Sequence, residues 1–108
     1  MHAQPRGTHI AIVYNMTIRI DVNTEGTEVV VYLAGRLAGN AAIQLRDTCD
    51  SIKGAFVLDL SNLLFTDDAG IDVMRVISER GTQIRGASQF IRLLANEALN
   101  QEADGEEN

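Results

Sequence analysis

Apolar and polar residues alternate along Met16–Val22. Every second residue from Ile18 to Val22 is apolar, which is typical of a strand with one buried face. The segment Asn23–Gly26 has the composition of a turn. The segment Thr27–Gly35 is then apolar and β-branched on both faces, as expected for a strand inside a sheet. The pattern therefore predicts a β-hairpin.

The spacing of apolar residues becomes helical after this hairpin. Asn40 is a favourable N-cap residue, and Ala42, Leu45, Cys49 and Ile52 then share one helical face. The sequence predicts a first helix here. Cys49 is expected to be a buried apolar residue rather than a reactive thiol, because no His or second Cys lies nearby in the sequence.

A central strand and a second helix follow. The continuous apolar run from Ala55 to Leu58 predicts a strand that stops near Asp59. A helix is expected from Asp68 to Arg80, because Arg80 is followed by a glycine that can end it. The apolar stripe of this second helix consists of Gly70, Val73, Met74 and Ile77.

The last part of the chain predicts a short strand around residues 82–85 and a third helix from Ser88. The final twelve residues carry five of the acidic side chains and no Lys or Arg, so we expect residues 97–108 to be a disordered acidic tail. Residues 1–15 are expected to be an N-terminal extension. Residues 16–96 then form one α/β domain, with a mixed sheet of about four strands and the helices on one face.

Composition supports one small domain. The chain has 108 residues, of which 45% are hydrophobic, enough for a single core. Most of the net charge of −6 belongs to the tail, and without a basic patch no nucleic-acid partner is expected. A single cysteine and the lack of a long apolar run predict a cytoplasmic protein that does not insert into a membrane.

Three short motifs follow one another in a fixed order. They are Gly35-Arg36-Leu37-Ala38, Asp59-Leu60-Ser61 and Asp67-Asp68-Ala69-Gly70. Their order and spacing resemble the STAS domain of bacterial anti-sigma-factor antagonists over roughly residues 16–96. The resemblance implies a non-enzymatic protein-binding module that regulates transcription by partner switching.

In this family the partner is an anti-sigma factor that is also a serine kinase of the GHKL type. Phosphorylation of a Ser that precedes x-Gly releases that partner. The acceptor position falls on Asp68, which has no hydroxyl. A carboxylate in the first turn of a helix is stabilised by the helix dipole. Asp68 is therefore either a permanent, partial imitation of phosphoserine or simply a residue that stabilises the helix start.

The resemblance also assigns a partner-binding surface around Asp68. The residues of this surface are Ala38, Asp67, Asp68, Gly70 and Ile71. Ala38 stands where the family has Asp. Asp67 is expected to cap the second helix. Ile71 is either part of the partner surface or a semi-buried packing residue beside the apolar stripe. Thr66 offers a hydroxyl nearby, but it is interpreted mainly as a packing residue at the strand end.

Two further binding functions remain open, namely a stressosome-like scaffold component and the STAS subunit of a lipid-transporting ABC system. A homodimer also remains open. An enzyme resembling a response-regulator receiver is disfavoured, because its acidic pair would follow the first strand and the only lysine here is Lys53. The sequence has no recognisable catalytic set, phosphate-binding loop or metal cluster, so we expect no cofactor.

Overall fold

The computed structural model describes residues 7–14 and 16–95. Within these residues five strands form one sheet, and the α/β class with a mixed sheet is confirmed. The strands are β1 (Gly7–Tyr14), β2 (Ile18–Glu25), β3 (Glu28–Leu37), β4 (Val57–Thr66) and β5 (Gln83–Arg85), and the helices are α1 (Asn40–Asp50), α2 (Asp68–Glu79) and the described part of α3 (residues 89–95).

The sheet follows the order of the chain from β1 to β5. β2 pairs antiparallel with both β1 and β3, whereas β4 pairs parallel with both β3 and β5. α1 connects β3 to β4 and α2 connects β4 to β5, as parallel pairs require a crossover. The predicted hairpin is β2 and β3, joined by a tight turn in which Gly26 has a φ of +65°, a conformation that favours glycine.

One apolar core lies between the sheet and the helices. Alternate residues of β2 and β3 and the inner faces of the helices contribute to it. Its fully buried members include Ile20, Leu33, Leu37, Leu45, Leu58, Ile77 and Ile91. α1 packs against α2 and against β3, and α2 packs against β4. Cys49 belongs to this core and is 2% exposed, as its place in the helical pattern predicts.

The strand count differs from the prediction of about four strands. Gly7–Tyr14 lies within the predicted N-terminal extension, yet it forms β1 and pairs along β2 from Gly7↔Glu25 to Tyr14↔Arg19. Its apolar run, Ile10–Tyr14, is too short to identify a strand without this neighbour. The additional pairing therefore gives the sheet a fifth strand at its β2 side.

Two element boundaries also require correction. The central strand does not stop near Asp59, because β4 continues to Thr66. Asp59 lies inside this strand, where its carboxylate accepts a hydrogen bond from Arg85 on β5. The first helix has Gly39 as its N-cap and Asn40 as its first residue. By contrast, α2 begins at the predicted Asp68 and ends within one residue of the predicted Arg80.

The acidic tail predicted for residues 97–108 lies outside the described residues. Among the described residues, no helix is long and apolar enough to cross a membrane.

Candidate functional site

The carboxyl ends of β3 and β4 lie side by side because the two strands are parallel neighbours. Leu37 at the end of β3 pairs with Thr66 at the end of β4. One residue further on, the backbone N–H of Asp67 donates to the carbonyl oxygen of Leu37 at 3.1 Å. This hydrogen bond places the loop before α1 next to the first turn of α2, where the predicted site residues lie.

Asp67 is the N-cap residue of α2 and also connects that helix to the loop before α1. Its Oδ1 accepts a hydrogen bond from the backbone N–H of Gly70 at 2.9 Å, and its Oδ2 accepts one from the N–H of Gly39 at 3.0 Å. The first bond satisfies one of the otherwise unpaired N–H groups of the helix start. Asp67 therefore has the predicted capping role and a second role in holding two loops together.

Both of its glycine partners are constrained. Gly39 has a φ of +61°, which is unfavourable for a residue with a Cβ atom. Gly70 is buried, and a Cβ added there would overlap the hydroxyl of Thr66 and lie 2.9 Å from Cδ2 and Cγ of Leu37. The site consequently depends on glycine at one position for backbone conformation and at the other for close packing.

Asp68 is the first residue of α2, and its side chain is exposed. It is the acidic residue of the first turn, where the helix dipole stabilises a carboxylate by about 0.3–1 kcal/mol. The capping hydrogen bond to Gly70 is made by Asp67 instead. The two adjacent aspartates thus differ in role, since Asp67 holds the helix start together and Asp68 presents its carboxylate to solvent.

The remaining predicted residues are not equally accessible. Ala38 is half-buried in the loop that Asp67 holds. Gly70 is buried, and Ile71 is 6% exposed and belongs to the core. The expectation that Ile71 lies beside the apolar stripe is wrong, because the buried face of α2 includes both Ile71 and Met74. The exposed Asp68 and the half-buried Ala38 and Asp67 can therefore contact a partner without rearrangement of the core.

Thr66 lies beneath this surface. Its side chain is 2% exposed, and its hydroxyl donates to the carbonyl oxygen of Asp67 at 3.1 Å. This placement agrees with the interpretation of Thr66 as a packing residue at the strand end.

An irregularity in β4 exposes an apolar side chain four residues before Asp68 in the chain. β3 pairs with Leu63 and then with Phe65, which leaves Leu64 unpaired in that ladder. Such bulges turn a side chain out of the regular alternation, and Leu64 is 68% exposed. The guanidinium carbon of Arg36 lies 4.5 Å from the ring centroid of Phe65, a cation–π distance. This surface could not be predicted from the sequence, because a bulge depends on the pairing of two strands.

A second polar cluster lies on the sheet face opposite the core, to which Tyr32, Asp59 and Arg85 are directed by strand alternation. The Asp59 carboxylate accepts from Nε of Arg85 at 2.8 Å and from the N–H of Ser61 at 2.9 Å. The guanidinium of Arg85 also donates to the hydroxyl of Tyr32 at 3.5 Å, and that hydroxyl donates to Glu25. This cluster connects the edge strand β5 to the middle of the sheet.

These contacts shift three pKa values, including that of Arg85, which is raised by the hydrogen bond to Asp59. Burial by itself raises the pKa of Asp59, but hydrogen bonds from Arg85 and Ser61 and the positive charge of Arg85 outweigh it, so the pKa is lowered. The hydrogen bond to Glu25, followed by burial, raises the pKa of Tyr32. From the sequence Asp59 was predicted to mark the end of a strand, and its partner Arg85 was missed. The pair could have been suspected from the sequence, because Asp59 follows an apolar run and Arg85 lies in the next predicted strand.

No protein-family model matches this chain, and no curated protein sequence matches it. The motifs and the geometry of the site are therefore the grounds for a function.

Proposed function

We propose that this chain is a non-enzymatic partner-switching module, similar to the anti-sigma-factor antagonists that its motifs resemble, in which Asp68 permanently supplies the negative charge that phosphorylation supplies in that family. The observation that carries the proposal is that the two adjacent aspartates at the start of α2 have different roles. Asp67 makes the capping hydrogen bond, while Asp68 in the first turn is exposed and free of that structural task.

A carboxylate at position 68 carries less negative charge than a phosphate would. A phosphate adds about −1.5 to −2 charges at neutral pH, whereas one carboxylate adds about half as much and has no third oxygen. Some partners have a binding surface that fits this face without a charge at position 68. Such a partner must take the Asp68 carboxylate out of water and accommodate its negative charge. Asp68 should therefore weaken such a complex in a graded manner rather than abolish it.

The ends of β3 and β4, the strands that lead into the site, carry further features that suit a protein partner. Leu64 provides exposed apolar area on the preceding strand, and Arg36 presents an exposed cation stacked on Phe65. An apolar contact flanked by charges of both signs gives affinity from burial and selectivity from charge. We infer a partner of the GHKL serine-kinase type, and a cytoplasmic location in which the single cysteine Cys49 stays reduced.

The partner class can be tested by capture. The full chain would be immobilised and incubated with lysate of its native cell, and the bound proteins identified by mass spectrometry. Recovery of a GHKL-type kinase supports the proposal. Recovery of a scaffold protein or of a transporter ATPase instead would replace it with one of the other two STAS functions.

The role of Asp68 is then tested by titration of the captured kinase. We expect Asp68→Ser to tighten binding, by a factor that decreases as salt concentration rises. Asp47→Asn is the matched control, because it removes an exposed carboxylate from α1 and should leave the affinity unchanged. Weaker binding of Asp68→Ser would indicate a partner cation that meets the carboxylate, and equal binding would remove Asp68 from the switch.

A further inference from the structure

An apolar groove lies between α2 and α3. Its lining includes Ile71 and Met74 of α2, Ile84 of β5, and Ile91 and Ala95 of α3, and its volume is about 250 Å³. Small-molecule sites usually enclose roughly 300–1,000 Å³, whereas the interior of a folded domain has few voids larger than a water molecule. The α2–α3 groove is therefore small for a ligand and large for a gap between two packed helices.

The two helices line unequal lengths of the groove. On α2 the lining extends from Ile71 to Glu79, which is about 12 Å along the helix axis. On α3 it extends from Ile91 to Ala95, which is about 6 Å. α3 is still helical at Ala95, the last residue that the structure describes. The side of the groove formed by α3 is therefore about one helical turn shorter than the side formed by α2.

The sequence supplies this turn with the right helical phase. The residues of α3 that line the groove are Ile91, Arg92 and Ala95, at positions i, i+1 and i+4. Continuation of the same helix places Ala98 and Leu99, at i+7 and i+8, on the same side. Leu99 is the last apolar residue larger than Ala in the chain, and the residue after it is an Asn, which is a common helix end.

The charges at the rim of the groove balance. Arg75 pairs with Asp72 at 2.8 Å, and Arg92 and Glu79 contribute one charge of each sign. The rim therefore does not attract the acidic C-terminal residues by net charge. Burial of apolar side chains is the interaction that the groove offers.

We propose that residues 96–99 continue α3 by one turn and that Ala98 and Leu99 fill the α2–α3 groove, which makes this groove a docking site for the C-terminal segment of the same chain. A segment joined to α3 without a linker has an effective concentration at the groove of about 1 mM or more, which favours it over a ligand from solution. The acidic tail predicted for residues 97–108 would then begin after Leu99.

This docking also bears on the start of α2. Ile71 lines the groove and lies three residues after Asp68 in the same helix. Leu99 in the groove would thus add packing beneath the part of α2 that presents Asp68. The inference does not depend on partner switching, because its tests measure the folded chain alone.

Hydrogen exchange of the full wild-type chain, followed by NMR for each amide, tests the additional turn. In a continued helix the N–H groups of residues 96–99 donate to the carbonyl oxygens of residues 92–95. We expect these four amides to exchange at least tenfold more slowly than in an unstructured peptide, and residues 102–108 to exchange at the unstructured rate. Equal, unprotected exchange in both segments would overturn the proposal.

Thermal unfolding tests the burial of Leu99. Leu99→Gln should lower the melting temperature by at least about 5 °C, because a buried Leu side chain is lost from the groove. Leu93→Gln is the matched control and should lower it by no more than about 2 °C, since Leu93 is 56% exposed on the same helix and Leu and Gln have similar helix propensities. Equal shifts would contradict a buried Leu99.

The dye ANS, which binds exposed apolar surface, tests whether the groove is the place that Leu99 covers. Below the unfolding temperature, Leu99→Gln should increase the dye fluorescence at least twofold over wild type, and Leu93→Gln should not increase it. Wild-type fluorescence as strong as that of Leu99→Gln would mean that the groove is open to an apolar ligand from solution, and would overturn the proposal.

Discussion

The carboxylate of Asp67 accepts a hydrogen bond at 3.0 Å from the backbone N–H of Gly39, a residue 28 positions earlier in the chain. The same carboxylate caps α2 through Gly70. One side chain therefore sets the position of the loop before α1 relative to the start of α2, and the surface around Asp68 depends on that position.

Replacement of Asp67 should destabilise the fold in proportion to the hydrogen bonds lost. Asp67→Ala removes a helix cap, which costs about 1 kcal/mol, and a second hydrogen bond worth about 0.5–1.5 kcal/mol. Asp67→Asn retains one acceptor oxygen and should lose roughly half as much. Urea unfolding measures these differences. Asp68→Ala is the control and should cost only the dipole interaction, about 0.3–1 kcal/mol, so equal losses at both positions would contradict the assigned roles.

Gly70→Ala should be destabilising, although Gly to Ala inside a helix normally stabilises by about 1 kcal/mol. The added Cβ would overlap the Thr66 hydroxyl and press on Leu37 at 2.9 Å, and such overpacking costs about 1–3 kcal/mol. Thr66→Ala removes the first overlap, so the double variant should lose less than the sum of the single losses. A Gly70→Ala variant that is more stable than wild type would show that the core relaxes around the methyl group.

Local patterns made α2 the most predictable element. Its start at Asp68 and its end near Arg80 follow from helical spacing and a capping Asp67, all within fourteen residues. The strands were predicted less well, because their lengths depend on neighbours. β4 continues past Asp59 because Arg85, 26 positions later, pairs with that carboxylate, and no local pattern contains this partner.

The candidate site shows the same division between local and distant contacts. The cap formed by Asp67 could be predicted from its position before a helical pattern. Its bond to Gly39 could not, because it requires the parallel register that places Leu37 beside Thr66. The burial of Ile71 was also missed, since a helical stripe read from the sequence does not show that the buried face of α2 is wide enough to include it.

The thiol of Cys49 should be unreactive in the folded protein. Burial, with a smaller contribution from the negative charge of Asp50, raises the pKa of Cys49 to about 12, although Arg80 acts in the opposite direction. An unfolded thiol has a pKa near 8.5. At pH 8 we therefore expect a disulfide reagent to react more than about 100-fold faster in denaturing urea than in buffer. Similar rates in both solvents would show that Cys49 is accessible.

Asp59 should make stability depend on pH in the acid range. The hydrogen bonds from Arg85 and Ser61 lower the pKa of Asp59 in the folded chain despite its burial, while the unfolded value is near 3.9. The folded state therefore binds this proton less readily than the unfolded state. The stabilisation is complete above the unfolded pKa, and it is lost as the pH falls through the lower folded pKa.

Asp59→Asn removes this titration, and the comparison with wild type tests it. At pH 7 the variant should be less stable, because Arg85 loses its charged partner and the pair is held at 2.8 Å with the Asp59 side chain only 9% exposed. The difference should shrink as the pH falls below about 4, since protonation removes the same charge from wild type. Urea midpoints measured from pH 7 to pH 2 give this curve, with Asp47→Asn as the control for an exposed carboxylate on α1. A difference that stays constant over the whole range would mean that the two hydrogen bonds do not favour the ionised form of Asp59, and that its burial decides its protonation instead.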